Sequence, residues 1–143
     1  RAFIEGLRTA SKETSLMGRW QKLGENPLII CDTGHNAHGI RYVSEQIAAT
    51  PHEKLYCVVG FVKDKDLEHI LPLLPKEAHY LFTAAQTERA VPAAELCQKA
   101  ASFGLQGEVV EDVKEAVKRA CELASAEDLI FIGGSTYVVG EAM

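Results

Sequence analysis

The sequence predicts an α/β fold: a three-layer sandwich around a mostly parallel sheet, with one antiparallel strand at the N-terminal end. Two observations carry that prediction. Short, predominantly apolar runs recur at residues 28–31, 55–60, 80–83 and 129–132. Between them lie segments whose apolar residues repeat at helical spacing. Strands that are apolar throughout, rather than alternating, belong to parallel sheets covered on both faces.

In chain order, Phe3, Ile4 and Leu7 sit at helical spacing and predict a short opening helix. Residues 19–23 and 28–31, joined by the turn Gly24-Glu25-Asn26-Pro27, predict two antiparallel strands. The second breaks into the polar turn Asp32-Thr33-Gly34-His35-Asn36. Asn36 is a good N-cap for a helix carrying Ile40, Val43 and Ile47 on its inner face. Residues 55–60 form the next buried strand. Leu67, Ile70, Leu71 and Leu74 mark a helical face that Pro72 should end or kink. Residues 80–83 are a core strand, and Glu88-Arg89 reads as a surface turn. Val91-Pro92 opens a helix lined by Leu96, Cys97, Ala100 and Ala101. Residues 108–110 predict a short strand. Asp112 caps the next helix, with Glu115 three residues on and Val113, Ala116, Val117, Ala120, Cys121 and Ala124 following at helical period. Residues 129–132 are the last core strand, closed by Gly133-Gly134-Ser135. The whole is a Rossmann-like layer structure, and ligands in such sheets collect at the carboxyl ends of the strands.

The chain of 143 residues is expected to be a single domain over its whole length, 1–143. A net charge of −5 argues against broad nucleic-acid or anionic-membrane binding. No apolar run approaches the roughly 20 residues of a membrane helix. Cys31, Cys57, Cys97 and Cys121 are widely spaced, with no Cys-x-x-Cys pair, and read as reduced core thiols of a cytoplasmic protein. The chain begins at Arg1 and ends at Met143 without a terminal cap, so it reads as a piece of something longer. The expectation is that the missing part holds the rest of an active site.

Candidate chemistry lies at the strand ends. Asp32 reads either as a turn-former or as an acceptor for ribose hydroxyls. His35 reads either as a polar turn residue or as a partner for a carboxylate, aided by the helix N-terminus. His38, one turn on, is expected to be solvent-exposed. A metal site from His35 and His38 has no third acidic ligand at suitable spacing, and no metal is assigned. Lys63-Asp64-Lys65-Asp66 leaves the functional edge of the sheet, as a solvated loop or a ligand or interdomain contact. Gly133 and Gly134 let backbone approach a ligand closely, and the Ser135 hydroxyl can donate there. Arg19 lies just upstream; an Arg and an Asp at one sheet edge suit a ligand with phosphates and hydroxyls, such as a nucleotide. The chain has no Gly-x-x-x-x-Gly-Lys-Ser/Thr loop, so it carries no P-loop, and no Gly-x-Gly-x-x-Gly after its first strand, so NAD binding is not supported.

In order, Gly18-Arg19-Trp20-Gln21, Asp32-Thr33-Gly34-His35-Asn36, Gly60 through Asp64-Lys65-Asp66, Thr87-Glu88-Arg89-Ala90 and Gly133-Gly134-Ser135 resemble the C-terminal domain of folylpolyglutamate synthases. In bacteria these are often bifunctional with dihydrofolate synthase, and they are a branch of the Mur ligase superfamily. Thr33-Gly34 stands where the pattern has Gly-Ala, and Ala37 replaces its Pro. The resemblance implies an ATP-dependent amide ligase. ATP would phosphorylate a pteroate or folate carboxylate, and the amine of L-glutamate would attack the acyl phosphate. The P-loop and the Mg2+ ligands would lie in an N-terminal ATPase domain over which this domain closes. By the same resemblance Arg19 would meet the ATP phosphates and Asp32 the ribose hydroxyls. His35 and Ser135 would line the glutamate site. Asn36, Lys65, Asp66, Gly133 and Gly134 would give support, and no catalytic residue is assigned. The alternatives are the C-terminal domain of a cell-wall Mur ligase using another amino acid, or a free-standing Rossmann-like module that senses a nucleotide or small metabolite.

Overall fold

Apolar strand segments and amphipathic helices alternate in the computed structural model, which describes residues 20–63 and 65–142. The opening helix expected around Phe3, Ile4 and Leu7, the Arg19 position and Asp64 lie outside the described residues. Strand β1 (Gln21–Gly24) pairs antiparallel with β2 (Leu28–Asp32), Gln21 opposite Cys31, with one irregularity between Lys22 and Gly24. Then follow α1 (Ala37–Ala49), β3 (Leu55–Val59), α2 (Leu67–Ile70), β4 (His79–Phe82) and α3 (Ala93–Ala101). The chain continues through β5 (Gln106–Val109), α4 (Val113–Leu123), β6 (Leu129–Gly133) and α5 (Thr136–Ala142).

The sheet order is β1-β2-β6-β3-β4-β5, and every pairing after the first is parallel. The α/β class, the covered parallel sheet and the single antiparallel strand are therefore as the sequence predicts. Each strand alternates between two cores. Ile30, Cys57, Val59, Tyr80, Phe82 and Phe131 face α1, α2 and α3. Cys31, Val58, Leu81, Ile130 and Ile132 face α4 and α5. Burying a Leu, Ile, Val or Phe side chain contributes roughly 1.5–3 kcal/mol, so these layers dominate the stability.

The capping signals hold. The Asn36 side chain accepts from the Gly39 N–H at 2.8 Å, and Asp112 accepts from Glu115 N–H at 2.9 Å. Pro72 does shorten its helix: α2 has four residues and passes at once into a 3-10 turn, Leu71–Leu73. Pro92 occupies the N-cap position, one residue before α3.

Some boundaries differ from expectation. Strand β1 starts at Gln21 rather than residue 19, and β5 runs Gln106–Val109 rather than 108–110. The start of β5 is polar and exposed, so no apolar run announced it. What fixes β5 is close approach: a Cβ on Gly107 would lie 1.9 Å from the Tyr80 carbonyl oxygen. Helix α5 was not expected, because the sequence predicts only a loop after Gly133. Of the cysteines, Cys31 and Cys57 are buried, and burial pushes both thiols up to about 12. Cys97 and Cys121 are half-buried and pack against the two cores from their helices.

Placing β6 between β2 and β3 decides where a ligand can sit. The helices that follow β2 and β3 pack on one face, and the helix that follows β6 packs on the other. Connections that diverge from neighbouring parallel strands leave a crevice at their carboxyl ends.

Candidate functional site

Three loops meet at that crevice. The first, after β2, is organised by Asp32. Its side chain is fully buried; one oxygen accepts from the Gly34 N–H at 2.7 Å and the other from the Trp20 N–H at 2.8 Å. Asp32 thus folds its own turn and ties the start of β1 to the end of β2. The turn lifts His35, half-buried, whose Nδ1 lies 3.1 Å from the Thr33 carbonyl oxygen. With Nδ1–H donating to that carbonyl, Nε2 of the neutral ring is an acceptor. Asn36 is occupied with capping α1, and His38 is exposed, as expected.

The second loop follows β6. Gly134 adopts φ +105, and a Cβ there would stand 2.4 Å from the Gly60 carbonyl oxygen, so only glycine fits. A Cβ on Gly133 would meet the Phe131 ring and the Asp32 carbonyl. The close approach these glycines permit is to neighbouring strands. Ser135, 4% exposed, caps α5: its Oγ accepts from Val138 N–H at 3.1 Å. Its hydroxyl proton is left to donate elsewhere.

The third loop follows β3 and splits its charged residues. Lys65 turns to the crevice, whereas Asp66 sits at the start of α2 and pairs with His69. That hydrogen bond to His69 holds the Asp66 carboxyl below the usual range. A fourth segment, after β4, is brought in by an isolated antiparallel bridge, Val62 to Ala90, and by the Lys63 N–H donating to the Arg89 carbonyl at 2.7 Å.

The result is a cleft of about 160 Å³ whose walls include His35, Lys65, Arg89, Ser135 and Tyr137. Lys65 and Arg89 supply two cations, and no described carboxylate lines it. His35, Ser135 and Lys65, three of the residues singled out in the sequence, come together here. Asp32, Asn36, Asp66, Gly133 and Gly134 do not line the cleft; they shape the backbone around it. Arg89 was read only as part of a surface turn. The one sign of it in the sequence was the Thr87-Glu88-Arg89-Ala90 segment of the resemblance, which gave it no role. Larger hollows of about 600 and 540 Å³ lie where the strands begin, around Tyr56 and His79 and around Glu25, Glu53 and Asp128. Both lie at the end of the sheet opposite the carboxyl ends of its parallel strands. Among the described residues no group of three or more His, Cys, Asp or Glu is placed to hold a metal, and no helix is long and apolar enough to cross a membrane.

Residues 18–136 match the family described as Mur ligase, glutamate ligase domain. A dihydrofolate synthase/folylpolyglutamate synthase of Buchnera aphidicola subsp. Acyrthosiphon pisum is 33% identical over 138 residues, covering 94% of this chain and 33% of that protein. The bifunctional folylpolyglutamate synthase/dihydrofolate synthase of Yersinia pestis, solved with AMPPNP and a Mn ion, superposes with a TM-score of 0.79 at 29% identity, over 88% of this chain and 30% of that one. A structure of such a bifunctional enzyme with Mn, AMPPNP and L-glutamate bound superposes equally well, with a TM-score of 0.79, 29% identity and the same shares of each chain. The chain spans about a third of the length of the curated Buchnera relatives it matches. Matched family, sheet order and loop placement agree: this chain belongs to the Mur ligase C-terminal, or glutamate ligase, domain family.

Proposed function

We propose that this chain is the amino-acid-binding, closing domain of an ATP-dependent folate:L-glutamate ligase. The observation that carries the reading is the cleft in which Lys65, Arg89, His35 and Ser135 converge. L-glutamate presents two carboxylates and one amine. Two cations and a hydroxyl donor suit the carboxylates, and the planar fork of Arg89 suits one of them bidentately. The Nε2 acceptor of His35 suits the amine, which must be deprotonated before it can attack an acyl phosphate. The relatives solved with AMPPNP and with L-glutamate support the same chemistry.

Catalysis in this reading is positioning. The domain holds the amine against the activated folate carboxylate and excludes water as it closes on an N-terminal ATPase domain. That second domain supplies the P-loop and the Mg2+ site. Arg19 serves the ATP phosphates. Asp32 serves the nucleotide by tethering Trp20, the residue next to Arg19, as well as by any contact with ribose.

The test is steady-state kinetics of the full-length ligase with glutamate varied at saturating ATP and folate. His35→Ala and Arg89→Ala are expected to raise the glutamate KM about tenfold or more, from the roughly 1.5–3 kcal/mol of a hydrogen bond to a charged group. The ATP KM is expected to stay as it was. An unchanged glutamate dependence in both variants refutes the assignment, and activity only with a muramoyl-peptide acceptor moves the chain to the cell-wall branch.

A further inference from the structure

The segment that carries Arg89 is held in place from an unexpected direction. Most of its anchors are backbone bonds: Thr83 N–H to the Val59 carbonyl at 2.9 Å, Lys63 N–H to Arg89 at 2.7 Å and Val91 N–H to Phe61 at 2.9 Å. At its outer turn the Gln86 N–H donates to Oε2 of Glu141 at 2.6 Å, across 55 residues of sequence. Glu141 stands in the last turn of α5, the helix that begins beside Ser135. An acidic side chain there opposes the partial negative charge of the helix end, so it does not serve the helix. Its carboxylate instead serves the Arg89 segment. Helix α5 is seated by buried Val138, Val139 and Ala142. It therefore touches the cleft twice: directly through Ser135 and Tyr137 at one end, and through Glu141 and Gln86 to Arg89 at the other.

We propose that Glu141 is a positioning residue for the amino-acid site, setting the Arg89 segment against the His35 and Ser135 loops by accepting the Gln86 N–H. The proposal rests on the glutamate reading of the cleft. Its effect is on amino-acid affinity, not on nucleotide use.

The experiment compares Glu141→Ala, Glu141→Gln, Arg89→Ala and the double variant Arg89→Ala/Glu141→Ala in the full-length ligase. The Gln variant keeps an acceptor oxygen. Glu141→Ala is expected to raise the glutamate KM about three- to tenfold, the share of one solvent-accessible hydrogen bond. The ATP KM should not move, and kcat should stay within about twofold of wild type, since uniform binding is what is lost. Glu141→Gln should restore most of the affinity. In the Arg89→Ala background, Glu141→Ala should add nothing to the glutamate KM, and backbone hydrogen exchange at Gln86 should quicken in both variants that lack the Glu141 carboxylate and not in Arg89→Ala. An equal loss in both backgrounds, no recovery with Gln, or unaltered exchange at Gln86 overturns the proposal. If Arg89→Ala raises the glutamate KM and Glu141→Ala does not, only the positioning role falls. If Arg89→Ala itself has no effect, the glutamate reading of the cleft falls, and this inference with it.

Discussion

Replacing Asp32 by alanine is expected to destabilise the domain strongly, because the carboxylate is a structural hub before it is anything else. Its side chain is fully buried and accepts two backbone N–H groups, from Gly34 at 2.7 Å and Trp20 at 2.8 Å. Hydrogen bonds to a charged group contribute about 1.5–3 kcal/mol each. The Gly34 N–H is buried and finds no substitute, whereas the Trp20 N–H is part-buried and water can recover some of its loss. The expected destabilisation is therefore about 3–4 kcal/mol, or about 10 °C in Tm for a domain of this size. Asp32→Asn keeps one acceptor but sets an amide N–H against a backbone N–H, so it should lose a little less, about 2–3 kcal/mol. Urea unfolding followed by far-UV circular dichroism measures both, as a shift of midpoint at constant slope. A loss below about 1 kcal/mol at constant slope would show that these bonds do not hold the turn. An ATP KM defect in the full-length ligase without loss of stability would return the carboxylate to a purely ligand-binding role.

Three further outcomes are expected. Ser135→Ala should lower stability by about 1 kcal/mol through the lost cap of α5, read from the same urea curves; an unchanged midpoint counts against the cap. Glu108 accepts from His79 at 2.7 Å and from Arg119 at 3.2 Å, chiefly the His79 bond holding its carboxyl below the ordinary 4.5. A lowered carboxyl stabilises the fold above its ordinary value, and that contribution is lost as pH falls through the lowered one. Acid titration of stability below pH 4.5 should thus be shallower in Glu108→Gln, by a small margin because the side chain is 32% exposed; identical acid limbs refute it. Finally, the chain alone should release no ADP from ATP in the presence of magnesium, since it carries no P-loop, and a measurable coupled-assay rate would contradict this.

The strands of the core were legible because each is a short apolar run with polar punctuation, and Asn36 and Asp112 announced their helices. The place of β6 was not legible. Nothing local in Leu129-Ile130-Phe131-Ile132 says that it inserts between β2 and β3 rather than adding to an edge. That choice is made by long-range pairing and by which face each helix covers. Helix α5 was missed because Thr136-Tyr137-Val138-Val139-Gly140 is rich in β-branched residues and glycine, so its helix is imposed by packing and by the Ser135 cap. His35 and Ser135 could be found because each follows a strand closely, and Lys65 because it stands in the charged loop 63–66 after β3. Arg89 lies seven residues beyond β4, in a segment that looks like solvent-exposed turn. Long-range contacts fold it back to the crevice: the Val62 to Ala90 bridge, the backbone bonds beside it and the Gln86 to Glu141 bond.

The insertion of β6 between β2 and β3 also bears on how the domain is made. Leu129 pairs with Leu28 on one side and Leu55 on the other, so a central strand of the sheet is the last of its six to be synthesised. Until it arrives, β1 and β2 have no direct partner in the rest of the sheet, and the apolar edges of β2 and β3 stand open. The closing contacts span about a hundred residues, a separation that slows folding and lengthens exposure to aggregation. A nascent chain stopped before Leu129 thus lacks its keystone, not a dispensable margin. The three loops of the cleft, carried by β2, β3 and β6, come into register only in that final event.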